Sequence, residues 1–460
     1  MMGFAKGTIM SGNDFDLITI GAGSGGVAAS RYAASKGARV AICEADRLGG
    51  TCVLRGCVPK KIFMYGAQFA EAFADAAAYG WQLGEPVFDL ARLTAAKNAE
   101  TSRLETSYQR LLDEAGVRTC AGWAELEDAH TVRIGGERLR AGRILIATGS
   151  SPSRPGIPGI DLAIDSTQML ELTRLPRRLL VLGAGYIAAE FAGIFRGFGS
   201  EVRMAYRGEL PLRGFDHDLR RRLAAAVSER GIALQPGFRP AQLVRAGKGL
   251  ACHGSDGSVL HADVVLNAMG RHPNTAGMGL ERAGVALEPG SGAVKVDAWS
   301  RSSVPNIYAV GDVTDRLNLT PVAIAEGRAF VDSEFGGTPR AVDHSLVASA
   351  VFSQPALAQI GLGEEAAVKR GHRVEVYEAD FRAMKTAFAG RSERSYMKLV
   401  TDADSGRVLG LHMLGADAAE IVQSLAVAVT MGAHKRDFDA TMALHPTVAE
   451  EFMLMRKPRA

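Results

Sequence analysis

The chain has 460 residues, which at roughly 150 residues per domain leaves room for about three domains and excludes a small disulfide-stapled scaffold. Lys and Arg total 53 against 50 Asp and Glu, and the resulting +3 is too balanced for a surface built to hold nucleic acid or an anionic membrane. Hydrophobic residues at 47% and charged residues at 22% are ordinary for a globular protein, but the 53 glycines exceed the usual roughly 7% and need a cause.

Met1–Asp14 lacks the basic start and apolar run of a secretion signal, and no stretch approaches roughly 18 continuous apolar residues. The five cysteines, at 43, 52, 57, 120 and 252, form no framework, and their odd number argues for a reducing compartment. Both observations predict a soluble, cytoplasmic chain. Asp16–Ile20 reads as a short strand entering Gly21-Ala-Gly23-Ser-Gly-Gly26, then a helix of small residues, then a strand Arg39–Glu44. The pattern recurs in the strand Arg178–Leu182, the turn Gly183-Ala-Gly185-Tyr-Ile-Ala188, a helix from Ala189 to about Phe198, and the strand Glu201–Arg207. Each is the strand, glycine turn, helix and strand of a dinucleotide fingerprint. Its first glycine makes the turn, its second lets backbone approach a pyrophosphate, and its third packs helix on strand.

The two units differ where an adenosine ribose would lie. Glu44 ends the first and is an acceptor for a free 2′-hydroxyl, which suits FAD or NAD. The second has Tyr206 there, then Arg207 and Arg213, two guanidiniums that suit a 2′-phosphate and favour NADPH over NADH. The alternative is that both arginines are ordinary solvated loop charges. Further on, Arg143–Gly149, Asp263–Gly270 and Asn306–Asp312 read as strands returning to the sheet edges of these domains, and Ser151–Pro158 as a linker. From about residue 340 no fingerprint appears. The strand pattern Arg394–Val400 is followed by a helix Ala418–Met431 that is apolar nearly all round, which predicts burial on more than one face.

Gly49-Gly-Thr-Cys52-Val-Leu-Arg-Gly-Cys57-Val-Pro-Lys-Lys61 is the most specific segment. On a regular helix two Cα atoms five positions apart lie about 8.6 Å from one another, beyond the roughly 7 Å limit for a disulfide. A bond would need a distorted turn, which Gly56 can supply; a metal pair lacking further ligands and two idle buried cysteines are the alternatives. Near the end, His445-Pro446-Thr-Val-Ala-Glu450-Glu451 places a histidine in a loop entering a helix. Thr447 and Glu450 also match a capping box.

Gly21–Gly26 with Glu44, Gly49–Lys61, Ala147-Thr148-Gly149, Gly183–Glu190, Arg207 with Arg213, Gly311-Asp312 and His445–Glu451 together resemble the flavin-dependent pyridine nucleotide–disulfide reductases, in order over almost the whole chain. The implied fold is α/β, with two Rossmann-like dinucleotide-binding domains plus a C-terminal α+β dimerisation domain. An FAD-binding domain would span 1–150 and 273–339, an NADPH-binding domain 151–272 and the dimerisation domain 340–460. The resemblance implies FAD among Gly21, Gly23, Ser24, Gly25, Gly26, Glu44, Thr51, Cys52, Lys60, Ala124, Thr148, Gly149, Asp312 and Thr320. It implies NADPH among Gly183, Ala184, Gly185, Ile187, Glu190, Arg207, Arg213 and Gly270, with Tyr186 as a movable lid, and it implies no metal.

The same resemblance implies NADPH-dependent reduction of glutathione disulfide. Cys57 would lie against the flavin and Cys52 would attack the substrate, with Lys60 and Glu190 paired near the flavin. His445 would transfer protons, oriented by Glu450, to the cysteines of the other subunit of a homodimer. Arg31 and Arg328 match positions that hold substrate carboxylates, and Ser24 and Tyr108 match others. Leu54-Arg55 departs from the Asn-Val common between the cysteines, and Tyr32 stands where a second Arg may occur, which touches fine specificity rather than the reaction. Dihydrolipoamide dehydrogenase, or a reductase of another small disulfide, is the nearest alternative, and a non-enzymatic nucleotide-binding redox sensor is the alternative of another class.

Overall fold

The computed structural model describes residues 12–459, so most of the Met1–Asp14 segment read for a leader lies outside the described residues. The chain forms two compact units. The first comprises residues 1–59, 95–153 and 271–344, and the second residues 60–94, 154–270 and 345–460.

The first unit is built on parallel strands because its central apolar runs have no polar alternation: β1 (Phe15–Ile20) and β2 (Val40–Glu44) are buried on both faces over most of their length, and β3 (Arg118–Ala121) closes the sheet as a more exposed edge. β1 pairs in parallel with β2 and with the strand Glu137–Ile146, which in turn pairs with Ile307–Ala309. Arg143–Ile146 therefore lies inside the sheet and not at its edge, because Ile307–Ala309 adds a further strand beside it. The outer half of the same strand turns antiparallel against Thr131–Ile134, which carries Ala124–Leu126. Helices α1 (Ser24–Ser35) and Thr320–Glu334 pack together through glycine. A Cβ at Gly25 would meet the Ala323 oxygen at 3.0 Å, and one at Gly327 the Gly25 oxygen at 2.9 Å.

The second unit carries a parallel sheet in the order Ala233–Gln235, Glu201–Ala205, Arg178–Leu182, Val264–Asn267. It also holds a three-stranded antiparallel sheet over 240–262 and a five-stranded antiparallel sheet with Ser349–Val351 at one edge and Val374–Phe381 at the other. The helix Tyr186–Phe198 starts one turn earlier than the sequence suggested and is buried over most of its length. The helix Ala418–Thr430 corrects the expectation of burial on several faces. Ala418, Val422, Ala426 and Val429 face the core, whereas Val427 is 60% exposed and Met431, just past the helix end, 82%. The five-stranded sheet covers only one side of it, so the remaining apolar residues are left facing solvent. No helix among the described residues is long and apolar enough to cross a membrane.

Candidate active site

Each glycine turn delivers the start of a helix with free backbone donors. In the first, Gly21 has φ +104 and a Cβ there would meet the Ala147 oxygen at 2.4 Å, while one at Gly26 would meet the Gly21 oxygen at 2.0 Å. These two glycines are required by the protein itself. Gly23 is different: its φ of −79 is ordinary, and an added Cβ would meet only the Gly50 Cα at 3.9 Å. No side chain caps the helix that follows. The second turn repeats this arrangement, with Gly183 at φ +126 against the Ala268 oxygen and Gly185 at φ −76 facing nothing within 4 Å. A glycine with ordinary φ and open space before an uncapped helix N-terminus keeps a cradle that a Cβ would fill, and the unpaired N–H groups favour an anion there. Both sites therefore fit a dinucleotide pyrophosphate.

Glu44 ends β2 and accepts from Ala22 N at 2.7 Å and Asp46 N at 2.9 Å, which fixes its carboxylate beside the first turn with acceptor capacity to spare. Thr148 and Gly149 follow the Glu137–Ile146 strand. The Thr148 hydroxyl donates to the Asn274 oxygen at 2.7 Å, and Gly149, with φ +69, faces open space. Asp312 sits in the turn Gly311–Thr314 and accepts from the Ser150 hydroxyl at 2.6 Å. Ala124 opens its strand, buried. In the second unit Tyr206 is 5% exposed and packs in the core, so it is not free to meet a ribose. That position falls past the strand end at Ala205, and the exposed residues there are Arg207 and Arg213, neither paired with any described residue. Tyr186, the first residue of its helix, is 43% exposed. Ala184 and Ile187 flank it, and Gly270, at φ +124, lies beyond the strand Val264–Asn267.

The cysteine segment forms the distorted turn that a regular helix could not. Helix α2 (Gly50–Leu54) stops at Arg55, whose φ is −147, and helix α3 (Cys57–Ala76) begins at Cys57 itself. Gly56 is needed at the break, because a Cβ there would stand 2.8 Å from the Thr51 oxygen. The two cysteines are free thiols in hydrogen-bond contact, Cys52 half-buried and Cys57 exposed. They are therefore not both buried, and among the described residues no group of three or more His, Cys, Asp or Glu could hold a metal ion. The hydrogen bond to Cys57, then burial, pushes the Cys52 thiol well up; Thr320 and Ser24 hydrogen bonds offset part of this. Cys57 Sγ lies 3.6 Å from Thr320 Oγ1. Thr320 is the first residue of its own helix, which no side chain caps, so two helix N-termini meet at Cys57, a setting that favours a thiolate.

Tyr108, on the helix Leu90–Glu114 (α4), is half-buried; burial and the nearby Cys52 raise its phenol pKa while Arg31 lowers it. Arg31 on α1 and Arg328 on the helix Thr320–Glu334 are exposed and make no ion pair with a described residue. In the second unit Lys60 Nζ meets Glu190 Oε1 at 2.7 Å, both buried, and the same oxygen accepts from Phe352 N at 2.9 Å. The Phe352 ring lies 4.3 Å from the Lys60 ammonium.

His445 is 81% exposed, and its Nδ1 lies 3.2 Å from both Glu450 oxygens, leaving Nε2 outward. The expected capping box is absent. The last short helix starts at Glu451, so Glu450 is its N-cap position with no side-chain cap bond, and the Thr447 hydroxyl turns back to the Leu444 oxygen at 2.7 Å. Glu450 is thereby left to the imidazole.

Sequence reading missed Glu326. It is 2% exposed and accepts from Gly311 N at 2.7 Å, Arg316 at 2.8 Å and His344 Nε2 at 2.7 Å, which holds the turn that carries Asp312. No motif marks it, because its partners come from two separate stretches, the 310–319 connection and His344 beyond the helix. Also missed was Cys43 opposite Cys120 on neighbouring strands, since 77 positions of sequence separate two residues that only the sheet register brings together.

A family model described as pyridine nucleotide-disulphide oxidoreductase matches residues 15–327, and the dimerisation domain of the same family matches residues 347–456. A curated protein from Burkholderia cepacia, named glutathione reductase, is 48% identical over 446 residues, covering 97% of this chain and 99% of its own. Another of that name, from Nostoc sp., is 47% identical over 456 residues, covering 96% of this chain and 99% of its own. A trypanothione reductase from Leishmania donovani is 40% identical over 472 residues, with 96% of each chain covered.

Proposed function

The chain belongs to the pyridine nucleotide-disulphide oxidoreductase family, and from that premise we propose that it reduces glutathione disulfide with NADPH, using FAD and the Cys52–Cys57 pair. The observation that carries the reading is the broken turn, which sets two thiols in contact at two helix N-termini, in the unit that also carries the exposed Arg31 and Arg328, neither ion-paired with a described residue. A substrate with several carboxylates suits those arginines.

FAD would be held by the first glycine turn, Glu44, Thr148, Gly149, Asp312 and Thr320, and NADPH by the second turn with Arg207 and Arg213. The FAD domain would take 1–150 and 273–339, the NADPH domain 151–272 and the dimerisation domain 340–460. The flavin supplies a two-electron relay between a nicotinamide and a dithiol. Lys60, paired with Glu190 and buried, would favour negative charge on a reduced ring.

The remaining steps belong to the chain's own thiols. Cys52 must lose its proton before it attacks, and neither Ser24, Thr320 nor Tyr108 beside it is a base at neutral pH. His445 of a second copy would take that proton, its tautomer fixed by Glu450. The Cys52 thiolate attacks one sulfur of the disulfide, forms a mixed disulfide and releases one thiolate, which His445 protonates. Cys57 then attacks Cys52, regenerates the Cys52–Cys57 disulfide and releases the second thiol, so one dithiol and one substrate disulfide give one protein disulfide and two thiols. The exposed apolar residues Val427, Met431 and Met442 in the region matched by the dimerisation model support a homodimer whose active site is shared between subunits.

Steady-state turnover of glutathione disulfide, trypanothione disulfide and lipoamide, each with NADPH and NADH, tests the reading. Preference for glutathione disulfide with NADPH supports it, and preference for lipoamide with NADH contradicts it. In the same assay His445→Ala lowers turnover by about 10²–10⁴; a change within about twofold would remove its assigned role.

A further inference from the structure

The loop between the strand Glu201–Ala205 and the helix His217–Glu229 carries both arginines of the proposed 2′-phosphate site, and its backbone is tied down at three points. After Arg207, the Gly208 oxygen accepts from Gly237 N at 3.2 Å. Before Arg213, Leu212 takes the left-handed conformation at φ 54, buries its side chain and donates its N–H to the Ala184 oxygen at 2.8 Å, within the glycine turn itself. Between these ties the Leu210 and Pro211 carbonyls have no strand or helix to pair with. Arg220 serves them: Nε donates to the Pro211 oxygen at 2.7 Å and Nη2 to the Leu210 oxygen at 3.0 Å.

A guanidinium is a rigid fork with two parallel donors, so one side chain fixes two successive carbonyls in one orientation, which a lysine cannot do. With Nε and Nη2 engaged inside the loop, Arg220 is unlike Arg207 and Arg213, which are exposed and make no ion pair with a described residue. We infer that Arg220 is a positioning residue for nucleotide selectivity: it orders the loop from which Arg207 and Arg213 reach a 2′-phosphate. This rests on the reading that NADPH is the reductant. The gain is preorganisation, since a loop already in its bound conformation spends less binding energy on being ordered.

The test uses the flavin-loaded full-length protein and its Arg220→Met and Arg220→Lys variants, with affinity for 2′,5′-ADP and for 5′-AMP measured by titration and thermal melting recorded alongside. In the wild type 2′,5′-ADP binds more tightly. In Arg220→Met that preference falls about tenfold, the scale of one charge-assisted contact, and Arg220→Lys recovers part of it through a single bond to one carbonyl. An unchanged preference in Arg220→Met, with or without a lower melting temperature, overturns the inference and leaves the NADPH reading intact. Equal loss for both ligands also overturns it, as general damage to the site. A wild type with no preference for the 2′-phosphate would overturn the NADPH reading and this inference together.

Discussion

The two glycine turns share a backbone and differ in what surrounds it. The first is closed in by protein: Gly26 admits no Cβ, a Cβ at Gly50 would stand 2.7 Å from the Gly23 Cα, and Glu44 is held by two N–H donors. The second tolerates Ala188 at the third position and presents Tyr186, Arg207 and Arg213 to solvent without an acid at the strand end. Close-packed walls suit a ligand that stays, and an open seat with free cations suits one that binds and leaves. One supersecondary unit can thus be tuned to a resident or an exchanging dinucleotide by the few residues around it.

The strongest way to break this comparison is to put the same methyl group at both third positions. Gly26→Ala drives a Cβ to within 2.0 Å of the Gly21 oxygen and should cost about 2–3 kcal/mol or more, with loss of bound flavin. Ala188→Gly, the reverse change in the second turn, should cost about 1 kcal/mol; thermal unfolding and flavin absorbance measure both, and equal costs would mean that the first turn is not the tighter. Next in size, Arg207→Met with Arg213→Met should raise the KM for NADPH about 10–100-fold while that for NADH moves by less than about threefold. Equal losses would leave the two arginines as solvated charges. Glu44→Gln should lower flavin retention a few-fold, because one of its two acceptor oxygens becomes a donor amide facing Ala22 N or Asp46 N, and should leave the NADPH to NADH ratio alone.

A pH dependence just beyond the second turn's loop reports on stability alone. Burial raises the Asp218 carboxyl pKa, but Lys398 and Arg459 outweigh it and hold it at about 2. A carboxylate depressed in the folded state stabilises above its unfolded pKa near about 4 and loses that contribution as pH falls toward about 2, here about 1–2 kcal/mol after solvent screening. Acid melts of the wild type and of Asp218→Asn should converge at the low end of that window; a constant difference across it would contradict the assignment.

What was legible in the sequence was what is local. The glycine turns, the cysteine segment and the His445–Glu450 pair each fit within a dozen residues, and the structure brings each together. The Lys60–Glu190 contact joins residues 130 positions apart and was reached only through the resemblance, since no spacing encodes it. Glu326, Arg220 and the Cys43–Cys120 neighbours depend on which loops and strands the fold brings side by side. The capping box failed because Thr447 and Glu450 precede the helix rather than starting it, and the apolar helix Ala418–Thr430 failed because the sheet covers only one side of it while Val427 on the helix and Met431 just past its end stay exposed.

The most direct test of the central claim is a thiol count. NADPH consumed and glutathione thiol released are measured together, without oxygen, for the wild type and for Cys52→Ser. The account predicts two thiols per NADPH in the wild type and a loss of about 10³-fold or more in the variant, with bound flavin retained. Sustained glutathione disulfide reduction by Cys52→Ser, or NADPH consumed without thiol release in the wild type, would contradict it.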